Sequence, residues 1–207
     1  MNNTDPRSII EWLIRVGKER VTVWRISVLT RGEDPFINML YKAFLASNLG
    51  DAFASWKVEE VKYGAQMAKK TVFDYLNEKY EKGKIHKWLE ELGAHHPNIE
   101  GAVRGLLRVE RELNLRSGKA DLNTMEKLYK ELKNVKGIGE KLRHYIVYDL
   151  IRVYGFPAPR NLGYFDELAE KLKTLGIKDL NIVNGEEWPW IDAAIWDLKL
   201  SASEVMK

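Results

Sequence analysis

One stretch constrains this chain more than any other: residues 132–152, LKNVKGIGEKLRHYIVYDLIR. Gly137 and Gly139 bracket a single Ile138, and an amphipathic pattern begins directly afterwards at Glu140. Two glycines this close permit a turn that residues with a Cβ resist. They also leave backbone N–H groups bare at the start of a helix, where the partial positive charge favours an anion. The stretch reads as helix, tight hairpin, helix, with a phosphate as the natural ligand of the hairpin. A plain helix–helix turn is the other reading of the same residues.

On a wheel at 100° per residue, Tyr145, Tyr148 and Arg152 fall within about 40° of Lys141. Leu142, Ile146, Val147, Leu150, Val153 and Tyr154 spread around the other side. The second helix therefore has a core face and a separate face of one Lys, two Tyr and one Arg. Lys141, two residues past the hairpin, is either a surface lysine that helps hold a phosphate or a reactive amine. The surroundings favour an anionic partner. From Lys127 to Arg160 there are eight basic and three acidic side chains, although the whole chain carries only +3. Such a local excess suits a DNA-facing surface and also fits an ordinary solvated basic face.

The remaining composition works mainly by exclusion. Zero cysteines remove disulfides, thiolate metal sites and cysteine nucleophiles, and fit a reducing compartment. With abundant Lys and Glu they point towards a thermophile. The N-terminus has no signal-peptide pattern and no apolar run reaches membrane-span length, so a cytoplasmic protein with no membrane contact is expected. His95 and His96 are adjacent in a Gly/Pro loop and cannot easily face one metal, so no metal site is expected there. No cofactor is expected beyond a monovalent cation that the hairpin could hold.

At 207 residues the chain fits one large domain or two small ones. Asp5-Pro6 and Asp34-Pro35 each offer an N-cap followed by Pro at the first helical position. Residues 20–30 alternate enough to resemble a strand, but without a strand partner nearby the expectation leans to helix or irregular packing. Helices are expected at about 57–81, 84–92, 98–113 and 122–134, and from Glu140 to Tyr154. Gly155-Phe156-Pro157-Ala158-Pro159 must then leave the helix. Asn161 is read as the N-cap of the next helix, to about Leu175, and the last begins near Pro189 or Asp192 and reaches about Leu200. About nine helices with short connections make the class all-α. A break near 116–120 divides the expectation into two helical lobes with a cleft between them. The lobes are taken as roughly 1–30 plus 119–207, mixed around 31–118, within one domain spanning 1–207.

Leu132, Val135, Lys136, Gly137, Ile138 and Gly139 together resemble the helix-hairpin-helix DNA-binding motif. Further stretches extend the likeness from about Asp34 to Lys207. Asp34-Pro35-Phe36 followed by Leu45-Ala46-Ser47-Asn48 looks like the early barrel helix and wedge loop of the helix-hairpin-helix-Gly/Pro-Asp DNA glycosylases. Leu92-Gly93-Ala94-His95, before a helix with Arg104, Arg108 and Arg111, resembles the next segment. Asp192-Ala193-Ala194-Ile195-Trp196 and a short tail to Lys207 are most similar to the small archaeal 8-oxoguanine DNA glycosylase/lyases.

That resemblance implies a monomeric enzyme that acts on double-stranded DNA and excises a damaged purine such as 8-oxoguanine. The lysine at the position of Lys141 is then the nucleophile, attacking the sugar of a nucleotide flipped out of the duplex and forming a Schiff base that permits strand cleavage. Lys136, Gly137, Ile138 and Gly139 would hold a phosphate 3′ to the lesion. Asn48 would fill the gap left by the flipped base, and Trp196 and the carboxylate of Lys207 would contact the base. Helix capping by Asn48 and core packing by Trp196 are the plainer roles for the same residues.

The sequence departs from the family at two positions. The family's aspartate, about eighteen to twenty residues after the lysine at a helix N-cap, is replaced by Asn161, which keeps the capping function and lacks the charge. Arg143 replaces a small residue in the hairpin's second helix. A catalytically impaired DNA-binding protein of the same fold therefore stands beside the enzyme as an alternative, and a helical protein–protein module stands behind both.

Overall fold

The computed structural model describes residues 5–30, 33–47 and 49–197, with side chains for all of these except 23–30 and 196–197. Ten α-helices and no strand occur among the described residues, so the chain is all-α. They are α1 (Pro6–Thr30), α2 (Pro35–Phe44), α3 (Asp51–Met67), α4 (Val72–Glu81), α5 (Ile85–Glu91), α6 (Pro97–Leu113), α7 (Leu122–Glu131), α8 (Glu140–Tyr154), α9 (Asp166–Thr174) and α10 (Trp188–Asp197). No helix among the described residues is long and apolar enough to cross a membrane. The alternating stretch 20–30 continues α1 as helix.

The centre of the molecule is α2. Asp34 caps it by accepting the Ile37 amide at 2.9 Å, and Pro35 supplies a first residue with its φ already set. Phe36, Ile37, Met39, Leu40, Ala43 and Phe44 are all buried, covering almost every side of the helix. A helix apolar all round has to be enclosed by others, and α3, α6 and α8 pack on it. Against α8 also pack α1 and α10. These two cross closely because Gly17 has no side chain: a Cβ there would stand 1.9 Å from the Trp190 carbonyl oxygen. Arg7 fixes the start of α1 by a two-pronged bond to Glu187, at 2.6 and 3.0 Å.

Two element boundaries differ from the sequence expectation. The single helix expected over 57–81 is two helices, α3 and α4. The chain turns between them at Lys69, which takes a left-handed φ of 53°, and the Thr71 hydroxyl caps α4 by accepting the Asp74 amide at 3.0 Å. The second correction is at Asn161. It is not an N-cap: it lies in an exposed turn, and α9 begins five residues later, with Phe165 at the cap and Asp166 as its first residue. Leu162 and Phe165 are both buried, and anchoring them holds the segment between Pro159 and α9 out of helical form.

Candidate nucleic-acid interface

The hairpin is clamped onto a flat face of α6. Leu132, Val135 and Ile138 are buried, so the apolar spacing that marks the motif is its anchor. Val135 sits where a side chain on Gly105 would be: a Cβ there would lie 2.4 Å from Val135 Cγ1. Gly101, one turn earlier, leaves room for the Lys136 backbone, with only 2.8 Å from its would-be Cβ to the Lys136 carbonyl oxygen. Asn98, a further turn back, presents its carbonyl to Gly137. The two hairpin glycines do different jobs. Gly137 has φ of +87° and no space for a Cβ, which would meet Asn98 O at 2.0 Å. Gly139 has φ of −72° and ψ of 176°, ordinary extended backbone, and its Cβ would meet nothing within 4 Å.

Gly139 is the N-cap of α8, and no side chain caps that end. The first amides of any helix lack intrahelical partners, so the start of α8 points N–H groups into open space beside the exposed Lys136. Glu140, in the first turn, works against an anion here, and its carboxylate is 3.6 Å from the Arg143 guanidinium. His144 fastens α8 to α7. Its Nδ1–H donates to the Glu140 carbonyl at 2.9 Å, so its Nε2 accepts from the Tyr129 hydroxyl at 3.0 Å. Burial holds this imidazole below its usual pKa, which favours the neutral form that accepts from Tyr129.

A groove of about 570 Å³ opens at this point. Gly137, Gly139 and Lys141 form one wall; Leu45, Ala46 and Gly50, from the α2–α3 connection, form the other. Asn98 bridges them, its side-chain amide reaching the Ala46 carbonyl at 3.4 Å. Asn48, the expected gap-filling residue, lies outside the described residues, between Ser47 and Leu49. The Lys141 ammonium is about half exposed, hydrogen-bonds to the Glu167 carboxylate, and lies 5.8 Å from the Tyr145 ring centre and 6.0 Å from that of Phe165. Glu167 is the second residue of α9, so the later start of that helix brings an acid, rather than Asn161, to the lysine.

The face of α8 that carries Lys141, Tyr145, Tyr148 and Arg152 runs from the surface at Lys141 into the interior. Tyr145 is half-buried and Tyr148 fully buried, its hydroxyl donating to the Gly163 carbonyl at 2.7 Å. Arg152 is buried in an ion-pair chain that α2, α8 and α10 build together. It meets Asp149 at 3.2 Å and Asp192 at 2.9 Å, while Lys42 meets Asp149 at 2.7 Å. A buried charge without a partner costs several kcal/mol, which explains why the acids and bases occur together. Asp192 Oδ1 has no hydrogen-bond partner. Burial pushes this carboxyl up to about 6 against the pull of Arg152. The same cluster stands behind Tyr145, where Lys42 lies 5.5 Å from the ring centre. Trp196 follows Asp192 by one turn on α10, its side chain outside the description, and Lys207 lies outside the described residues altogether.

Of the hairpin residues singled out in the sequence, Gly137, Gly139 and Lys141 line one groove wall, while Ile138 is buried and Lys136 is exposed outside that lining. Sequence reasoning missed Glu167, the ion-pair chain and the α6 glycines. Of these only Gly101-x-x-x-Gly105 leaves a trace in the sequence. The chain matches no protein-family model, and neither curated proteins nor solved structures return a match to it.

Proposed function

We propose that this chain is a DNA glycosylase/lyase that excises a damaged, oxidised purine such as 8-oxoguanine, with Lys141 as nucleophile. The observation that carries the proposal is the pairing of Lys141 with Glu167 in a groove, two residues beyond an uncapped helix start. The amine must be neutral to attack, and Glu167 is in contact to take its proton. The amine then attacks C1′ of a flipped nucleotide, the C1′–N9 bond breaks, and the base leaves with that bonding pair and picks up a proton. The C1′–O4′ bond then opens, O4′ taking a proton as the nitrogen's lone pair forms the C1′=N bond, and the Schiff base so formed acidifies C2′. Loss of a C2′ proton expels the 3′ phosphate and nicks the strand.

The remaining parts follow from their positions. The amides at the start of α8 hold a backbone phosphate, with Lys136 beside them. Tyr145 supplies an aromatic surface on the groove wall. The groove is the cleft between two helical lobes, and the protein works as an intracellular monomer on the chromosome. Glu167, rather than Asn161, supplies the acid that the resembling family places near the lysine.

One observation favours a second reading: no aspartate stands eighteen to twenty residues after Lys141, and the cap of α9 is Phe165. A DNA-binding protein without chemistry would bind duplex DNA with the same salt dependence and leave it intact. Incubation with an end-labelled duplex holding one 8-oxoguanine separates the two. Nicking at the lesion, absent from an undamaged duplex, supports the enzyme. Binding without nicking supports the alternative, and neither binding nor nicking overturns both.

A further inference from the structure

Away from the groove wall, three ligand-bearing side chains converge on one point of the surface. His86 comes from the first turn of α5, His95 from the loop that follows it and Glu100 from the first turn of α6. Their nearest ligand atoms all lie within 4.8 Å of one another. His86 Nδ1 is 2.9 Å from Glu100 Oε2, and His95 Nε2 is 3.6 Å from the same oxygen. The two imidazole centres are 4.3 Å apart, with planes inclined by 70°. His96, adjacent to His95 in sequence, is turned away: its Nδ1 accepts the Asn98 amide at 3.2 Å and caps α6. The adjacency that argued against a metal therefore does not bear on the actual grouping.

We propose that His86, His95 and Glu100 bind a zinc-class divalent transition metal. Two imidazoles and one carboxylate match the preference of zinc for nitrogen with some oxygen, and differ from the all-oxygen sets of calcium and magnesium. Ligands about 2.0–2.1 Å from a tetrahedral zinc stand roughly 3.3–3.5 Å from one another. The present separations reach that spacing by small side-chain rotations. The surrounding contacts orient the ligands as a metal site requires. Arg104 occupies the other oxygen of Glu100, with Nε at 2.9 Å, which leaves Oε2 facing the imidazoles. Glu90 lies 3.5 Å from His86 Nε2, the nitrogen opposite the proposed ligand atom. Both histidines are substantially exposed, so the ion has an entry path and a fourth position open to water.

The ion would tie α5 to the start of α6 at Glu100, two residues from Asn98. Asn98 meets Gly137 through its carbonyl and spans the groove through its side chain, so the metal acts as a positioning staple for that wall. Its existence does not depend on the activity proposed above. Tag-free protein, treated with chelator and dialysed, should be titrated with Zn²⁺ by calorimetry. One equivalent should bind, and Zn²⁺ should slow amide hydrogen exchange in residues 94–98. His86→Ala and His95→Ala should each weaken binding by roughly ten- to a hundredfold or more, as loss of a ligand should exceed loss of an outer partner. His96→Ala should leave the affinity unchanged. Absence of stoichiometric binding to folded wild-type protein overturns the site, as does undiminished binding by His95→Ala.

Discussion

Substituting the two hairpin glycines separately measures how much of the motif is backbone geometry. At Gly137 an alanine faces two penalties. Its φ of +87° costs a residue with a Cβ about 1–2 kcal/mol. Its Cβ would also lie 2.0 Å from the Asn98 carbonyl oxygen, part of the α6 backbone and unable to swing aside. Relief requires parting the hairpin from α6, an overpacking cost of about 1–3 kcal/mol. Together these give roughly 2–5 kcal/mol, and at ~2–4 °C per kcal/mol for a chain of this size the melting temperature falls by roughly 4–20 °C. At Gly139 neither penalty exists. Alanine narrows the unfolded ensemble by about 0.4–1 kcal/mol and caps a helix somewhat less well than glycine, so Gly139→Ala should stay within about 0.5 kcal/mol of wild type. Calorimetric melting of both variants decides it. A Gly137→Ala melt within 2 °C or so of wild type, or equal losses at the two positions, would refute the packing described for the hairpin.

Gly139→Asp places a favourable N-cap residue at α8, so the protein should remain folded. Its charge should still lower duplex affinity and reduce the slope of log K against log salt by about one unit per lost phosphate contact, read by fluorescence anisotropy. Glu167→Gln should slow single-turnover excision by about 10²–10⁴ and alter its pH profile while leaving duplex affinity unchanged; an unaltered profile would remove Glu167 from proton transfer. Glu110 gives a pH prediction for the fold. Burial pushes its carboxyl up to about 7, above an unfolded value of 4.5, so the protonated form is favoured in the folded state. Its contribution to stability is therefore complete below pH 4.5 and is lost as pH rises through 7. The fall in melting temperature across that window should be smaller in Glu110→Gln, and an identical slope would show that another group causes it.

What could be read from the sequence was local. Caps such as Asp34-Pro35, the hairpin glycines and the apolar spacing of α8 are decided within a few residues, and the structure contains them. Asn161 shows where local reasoning stops. It has a good capping side chain, yet burial of Leu162 and Phe165 outweighs that preference and delays α9 to Asp166. The same delay puts Glu167 on Lys141. A wheel finds the common direction of Tyr145, Tyr148 and Arg152 without telling whether it faces solvent or other helices. Here Asp192 arrives from α10 to pair with Arg152, and Lys42 from α2 to pair with Asp149. His86 and His95 are nine positions apart in sequence and meet because the loop before α6 carries His95 back beside α5.

Borohydride trapping tests the assignment of Lys141 most directly. The protein is mixed with duplex DNA carrying 8-oxoguanine in the presence of sodium borohydride, and the product is resolved by denaturing electrophoresis and peptide mass mapping. If Lys141 forms the Schiff base, wild type gives a covalent protein–DNA adduct mapped to that residue. Lys141→Gln then gives none while still binding the duplex. Absence of an adduct from wild type that binds the DNA, or an undiminished adduct in Lys141→Gln, would show that Lys141 is not the nucleophile.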